Sequence, residues 1–242
     1  MTNLAIECSG TAGSVALFDG ETPISYSDLD TRFSSVRTLA SEIERITRSR
    51  VKPNLISVTN GPGSFTGLRV GLTTAKMLAM AWNIPVIPVD TLHAIALRAR
   101  NVLPKSQSGG PILAVINAFR GQVFATAVQF SDQGKLTVLV PSCVLDAQQW
   151  RTNPLDAFGR DLQSACVWVS GPGLRNFPLV GDFMDGERYQ TVPSEVWNPT
   201  AIEVARLGQL GLESGSARNA FTLEPNYIRA SAAEEKSKDT LK

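Results

Sequence analysis

Histidine occurs once in the chain, at His93, and cysteine three times, at Cys8, Cys143 and Cys166. A single imidazole excludes a metal site built on histidine spacing and any mechanism that needs two imidazoles. Three cysteines without ligand spacing point to neither a disulfide framework nor a zinc site, so a reducing compartment, the cytoplasm, is expected. An excess of one charge is also missing, because 23 Lys and Arg stand against 22 Asp and Glu. A domain that grips nucleic acid unaided carries a basic excess, since phosphate neutralisation supplies most of the affinity. The basic run Arg45, Arg48, Arg50 and Lys52 reads instead as a helix C-terminus complementing its own dipole. No apolar run approaches the ~20 residues of a membrane span, because Arg69 and Lys76 interrupt the most apolar stretch. The opening MTNLAIECSG carries no charged stretch before its short apolar run, so no signal peptide is expected. What remains is a 242-residue chain that is 43% hydrophobic, an ordinary globular composition.

Short apolar segments at Leu4–Glu7, Ser14–Asp19 and Ile24–Tyr26, separated by Gly10, Gly13, Gly20 and Pro23, read as a hairpin followed by a third strand. Helical spacing follows over Ser35–Arg48, with Val36, Leu39, Ala40, Ile43 and Ile46 on one side. Leu55–Val58 reads as a strand ending at a glycine turn, Ser64–Trp82 as a helix, Pro85–Val89 as a strand and Thr91–Arg100 as a helix. Alternating strands and helices define an α/β fold. Leu103–Pro111, rich in Pro, Ser and Gly, reads as a linker. Beyond it the opening returns: Leu113-Ala114-Val115 echoes Leu4-Ala5-Ile6, and Gly121-Gln122-Val123-Phe124 echoes Gly13-Ser14-Val15-Ala16, as two related lobes would show. Asn198 is expected to cap a further helix, with Pro199 at its first position and Gly215 at its end. The lobes are expected at 1–104 and 105–231, with the last helix free to return to the first lobe. The charged tail 232–242 is expected to be disordered.

The most distinctive segment is Gly61-Pro-Gly-Ser-Phe-Thr-Gly-Leu-Arg-Val-Gly71. A strand, a glycine turn and a helix N-terminus together can present amides to a phosphate, which makes Gly61, Gly63 and Ser64 candidate nucleotide contacts alongside Glu7 and Ser9 at the end of the first strand. It is neither a Walker A loop nor G-x-G-x-x-G, and Pro62 lacks an N–H; local chemistry favours a tight turn with Ser64 capping the helix. In that helix Gly67, Gly71, Ala75 and Ala79 recur every four residues. Each helical glycine costs about 1 kcal/mol relative to alanine, so this stripe implies close helix packing, either within the chain or against another protein. A bulky residue at 71 or 75 is expected to block a subunit contact while leaving the fold mostly intact. His93 reads as structural and Cys8 as buried. Asp19, Asp28, Asp30 and Asp90 show no paired spacing.

Together these segments resemble the TsaB (YeaZ) family, the accessory subunit of bacterial tRNA threonylcarbamoyladenosine synthesis. GPGSFTGLRVGLTTAK at 61–76 carries most of the likeness. LAIECSGTAGSVAL at 4–17, PVIPVDTLHAIA at 85–96, ILAVINAFRGQVF at 112–124 and LEPNYIRAS at 223–231 support it. The chain departs from the family's usual pattern at Glu7-Cys8-Ser9, at Ser34-Ser35-Val36 and at Asn117–Gln122. The resemblance implies an actin-like (ASKHA) fold of two ribonuclease-H-like lobes and a chain that does not itself catalyse. It further implies a scaffold that binds and orders a TsaD-like transferase, joined by a TsaE-like ATPase, so that tRNA is met through the complex. The expected interface comprises Val36, Leu39, Ala40, Ile43, Ile46, Gly67, Leu68, Gly71, Ala75, Leu78 and Ala79. No intrinsic cofactor is implied, with ATP or ADP able to lie near the subunit junction. The alternatives are an actin-like ATPase or kinase working through Glu7 or Asp90, a glycoprotein peptidase, and a stand-alone regulatory homodimer.

Overall fold

The computed structural model describes residues 1–29, 35–48, 52–158, 166–180 and 188–229. The first lobe runs β1 (Thr2–Glu7), β2 (Ser14–Asp19), β3 (Thr22–Asp28), α1 (Ser35–Thr47), β4 (Leu55–Gly61), α2 (Phe65–Trp82), β5 (Val86–Asp90) and α3 (Thr91–Val102). The second runs β6 (Ile112–Phe119), β7 (Gln122–Phe130), β8 (Leu136–Asp146), α4 (Ala147–Thr152), α5 (Pro154–Ala157), β9 (Val167–Ser170) and β10 (Tyr189–Thr191), after which comes α6 (Ala201–Glu213). The sheets are ordered β3-β2-β1-β4-β5 and β10-β9-β6-β7-β8. In each, three strands form an antiparallel meander whose first strand then pairs in parallel with the fourth. Read from the meander outward, the two orders are the same, so the echo between Leu4 and Leu113 marks a repeated topology.

Alternation along β1 sets the layers, because successive side chains point to opposite faces. Leu4 and Ile6 join Leu39, Ile43 and Ile46 of α1 and Leu72, Ala75 and Ala79 of α2 in one core. Ala5 faces the other way, where α3 and α6 are packed between the sheets with Ile112, Ala114, Val128 and Phe130 of the second lobe. A third core lies on the far side of the second sheet around Trp150. The last helix thus returns to the first sheet, as the sequence allows.

Local chemistry sets the helix ends. Ser64 Oγ accepts from the Gly67 amide at the start of α2, and Asn83 closes it in a left-handed conformation, φ 53°. Asp90 caps α3 through the amides of Leu92 and His93, and its other oxygen accepts from Ser142 of β8 at 2.7 Å, tying the lobes together. The cap of α6 is Thr200, not Asn198: its hydroxyl accepts from the Ile202 amide and donates to Glu203 at 2.5 Å. Thr200-x-x-Glu203 is a capping-box spacing, and the first helical residue, Ala201, lies two residues beyond Pro199. Asn198 instead accepts from Arg175. The disorder expected at 232–242 lies outside the described residues.

Helix α6 lies close on the first sheet over a buried polar pair. Ser57 donates to Asn3 Oδ1 at 3.0 Å, and Asn3 Nδ2 donates to the Ala205 carbonyl at 3.0 Å. Room for this contact comes from Gly208, where a Cβ would sit 1.8 Å from Ser57 Oγ. Gly208→Ala is expected to lower stability by about 1–3 kcal/mol, the usual cost of overpacking, read as a lowered urea midpoint with an unchanged slope. A midpoint equal to wild type would show that α6 shifts without cost.

Candidate functional site

The expected site residues converge where the end of β1 meets the start of α2, but most of them face inward. A Cβ at position 67 would lie 2.0 Å from the Cys8 carbonyl oxygen, and one at 71 would lie 3.3 Å from Cys8 Cβ. The small-residue stripe therefore seats α2 on the chain's own first strand. Gly67, Leu68, Gly71, Ala75 and Ala79 of the expected interface are buried there, as are Leu39, Ile43 and Ile46 of α1. Leu78 is half-buried and Ala40 exposed, while the side chain of Val36 lies outside the described residues. The expectation for bulky residues at 71 and 75 is corrected accordingly: they would strike Cys8 or the core and damage the fold before reaching any partner.

The same contacts occupy the glycine turn. A Cβ on Gly61 would lie 2.7 Å from the Asn226 carbonyl oxygen and one on Gly63 2.4 Å from that of Ser9. The Ser64 amide donates to the Ser9 carbonyl at 2.7 Å. Carbonyl oxygens crowd the place where an anion nest needs open amides, so the geometry gives Gly61, Gly63 and Ser64 a structural duty. Glu7 lies fully buried beside this turn. Its Oε1 accepts from the Ser9 amide at 2.6 Å and from the Ser9 hydroxyl, whereas Oε2 is buried with no hydrogen-bond partner among the described residues. Burial pushes its carboxyl up to about 7, against the smaller opposing pull of the two Ser9 hydrogen bonds. Burial, and then the charge of Glu7, push the Cys8 thiol up as well, which makes it a poor nucleophile. His93 lies half-buried on α3, on the wall of a groove of about 590 Å³ lined also by Ile87, Leu136 and Leu210. Among the described residues no three His, Cys, Asp or Glu side chains are grouped to hold a metal ion.

Two outward features went unread in the sequence. At 100° per residue, Phe65, Arg69, Thr73, Met77 and Met80 share one arc of α2 opposite the buried stripe, and Met77 is 67% and Met80 52% exposed. The second is the segment after Leu223, which crosses between the lobes. The Asn226 amide donates to the Asn60 carbonyl at 2.7 Å. Tyr227 stacks on Phe65 with centroids 5.6 Å apart and accepts from Arg69 Nε at 3.2 Å. Arg229 then donates to the Ala118 carbonyl at 2.9 Å and to Gln122. An angular plot of α2 reveals the first feature; nothing in local sequence pattern reveals the second.

Two lobes of repeated topology with helices packed between their sheets define an actin-like α/β fold. It is shared with YeaZ from Pseudomonas aeruginosa (TM-score 0.76, 22% identity, 94% of this chain and 100% of that one). It is also shared, more distantly, with a ROK family protein from Streptococcus pneumoniae TIGR4 solved with sucrose (TM-score 0.50, 11% identity, 89% and 100%). A family model described as TsaD, tRNA N6-adenosine threonylcarbamoyltransferase, matches residues 37–151. The tRNA threonylcarbamoyladenosine biosynthesis protein TsaB of Escherichia coli K12 is 32% identical over 96% of each chain. The chain belongs to the TsaB family. No helix among the described residues is long and apolar enough to cross a membrane.

The raised carboxyl makes stability depend on pH. Its folded-state pKa lies above the ordinary 4.5, so between about 4.5 and 7 the folded state holds the extra proton. Its contribution is complete below the unfolded value and is lost as pH rises through about 7. The loss is on the order of 3 kcal/mol. Glu7→Gln, neutral at every pH, is expected to flatten the fall in Tm between pH 5 and 8 and to melt higher than wild type at pH 8. Parallel Tm-against-pH curves for the two proteins would show that Glu7 is not the group titrating.

Proposed function

We propose that this chain is a non-catalytic scaffold that binds a TsaD-like transferase and orders it for threonylcarbamoyladenosine formation on tRNA. It acts in the cytoplasm, with a TsaE-like ATPase joining the assembly. The observation that carries this reading is the outward arc of α2. Thr73, Met77 and Met80 form a polarizable, adaptable surface of the kind that suits partner docking, on a helix held rigidly from behind by its glycine stripe. Exposed Ala40 of α1 lies on the neighbouring helix. The interface of this proposal thus keeps the expected pair of helices but uses their outer faces. Glu7 favours the scaffold over an ATPase or kinase: a buried carboxyl raised to about 7, beside a turn crowded by carbonyls, is poorly suited to holding a magnesium nucleotide. ATP or ADP at the junction would then lie between subunits. A homodimer in the absence of the transferase would use the same arc.

The test is an omission experiment. Threonylcarbamoyl transfer to tRNA is reconstituted from the cognate transferase, the ATPase and the carbamoyl-adenylate synthase, with and without this chain, and the modified nucleoside is quantified. Product is expected to vanish without the chain and to persist with Glu7→Gln. Met77→Asp, at an exposed position that the fold tolerates, is expected to weaken co-elution with the transferase at least about tenfold, since a buried unpaired charge costs several kcal/mol. Equal product without the chain would sink the scaffold reading.

A further inference from the structure

The β6–β7 turn is built in an unusual way. Arg120 and Gly121, φ 53° and 71°, are the central pair of a two-residue hairpin turn that needs positive φ at both positions. Phe119 before them also has φ 60°, at a register shift in the ladder. A bulky residue in the left-handed region is a genuine outlier, held here by the Asn117 side chain accepting from the Phe119 amide at 2.7 Å. The outcome is a phenylalanine 72% exposed to solvent. Strain that exposes an apolar ring stabilises nothing in the isolated fold, and such outliers cluster where a ligand is met.

Phe119 has companions. Arg229 reaches the carbonyl of Ala118, the residue before it, and two residues upstream of Arg229 stands Tyr227, stacked on Phe65 with the Arg69 guanidinium 3.7 Å above the Phe65 ring. Three residues of chain reach at most about 10 Å, so the crossing segment joins the two aromatic groups into one surface over both lobes. Phe65, Tyr227 and Phe119 supply three aromatic rings, with the guanidinium of Arg69 on Phe65 and Tyr227, that of Arg229 at the Ala118 carbonyl and Arg120 next to Phe119 in the turn, and Glu224 is the acid of the segment. Rings that stack on bases, interleaved with cations that meet phosphates, are the chemistry of single-stranded RNA recognition. It differs in chemistry from the exposed methionines Met77 and Met80 farther along α2.

We propose that the surface formed by Phe119, Arg120, Tyr227 and Arg229, with Phe65 and Arg69 at its edge, contacts unpaired nucleotides of the tRNA. This rests on the reading that the chain works in a tRNA-modifying complex, and it gives the subunit a direct hold on the substrate. With a balanced overall charge, that hold is weak in the isolated chain and salt-dependent, and it supplements the grip of the assembly.

The experiment titrates labelled, unmodified tRNA with the full chain at about 50 mM salt, where phosphate contacts are strongest, following fluorescence anisotropy. Co-elution with the transferase subunit is measured in parallel. Phe119→Asn deletes the ring while suiting the left-handed turn, so Tm is expected to hold while tRNA affinity falls about five- to hundredfold. Arg120→Ser is expected to weaken binding and reduce the salt slope by about one. Met77→Asp is expected to leave tRNA affinity unchanged, which separates failure of this inference from failure of the scaffold reading. Three results would overturn the inference. They are no salt-dependent binding by wild type, wild-type affinity in both turn variants, and loss of transferase co-elution by Phe119→Asn with tRNA affinity intact, which would make the surface a protein site.

Discussion

The rest of the site depends on one close approach of backbones. Helix α2 lies so near the end of β1 that the Cys8 carbonyl fills the space a side chain at position 67 would need. Only glycine permits it, and the helical cost of about 1 kcal/mol per glycine is offset by the apolar burial of Leu68, Leu72, Ala75 and Ala79 against the first sheet. Two consequences follow from this seating. Glu7 and Ser9 are closed over, which leaves the carboxyl dry and hard to ionise. The opposite arc of α2, with its methionines, is turned to solvent on a support that does not yield.

The lobes are held together by contacts of different kinds. Helices α3 and α6 pack between the sheets as shared apolar layers. Asp90 couples a helix cap in one lobe to a hydroxyl in the other. The crossing segment from Asn226 to Arg229 pairs backbone with the first lobe and guanidinium with the second. Apolar layers resist separation without direction, whereas the polar ties fix the angle between lobes. Ties of both kinds are what the proposed scaffold role would require.

Much of this was legible in sequence, and the misreadings have physical causes. Strand alternation and helix periodicity report burial directly, so the α/β order and the repeat were readable from Leu4 and Leu113. Small residues at four-residue spacing report close approach but carry no sign for which side approaches. The stripe from Gly67 to Ala79 therefore announced tight packing correctly and left open that its partner is Cys8 of the same chain. At Asn198-Pro199-Thr200 two capping signals overlap, and Thr200 prevails because its hydroxyl accepts the Ile202 amide while donating to Glu203, leaving Asn198 to accept from Arg175. The Tyr227 and Arg229 contacts join residues more than a hundred positions from their partners, beyond the reach of any local pattern.

The proposed scaffold role asks for a stiff docking helix and for no open, charged acid. Both properties arise here from the same few ångströms. Pressing α2 onto Cys8 seats the helix that carries the methionine arc, and it buries the Glu7 carboxyl. A larger residue at 67 or 71 would have to lift α2, which would admit water to Glu7 and tilt the arc at once. Closing over the acid and displaying the outer arc are thus two results of one packing, so an open, charged Glu7 and a firmly seated α2 exclude one another.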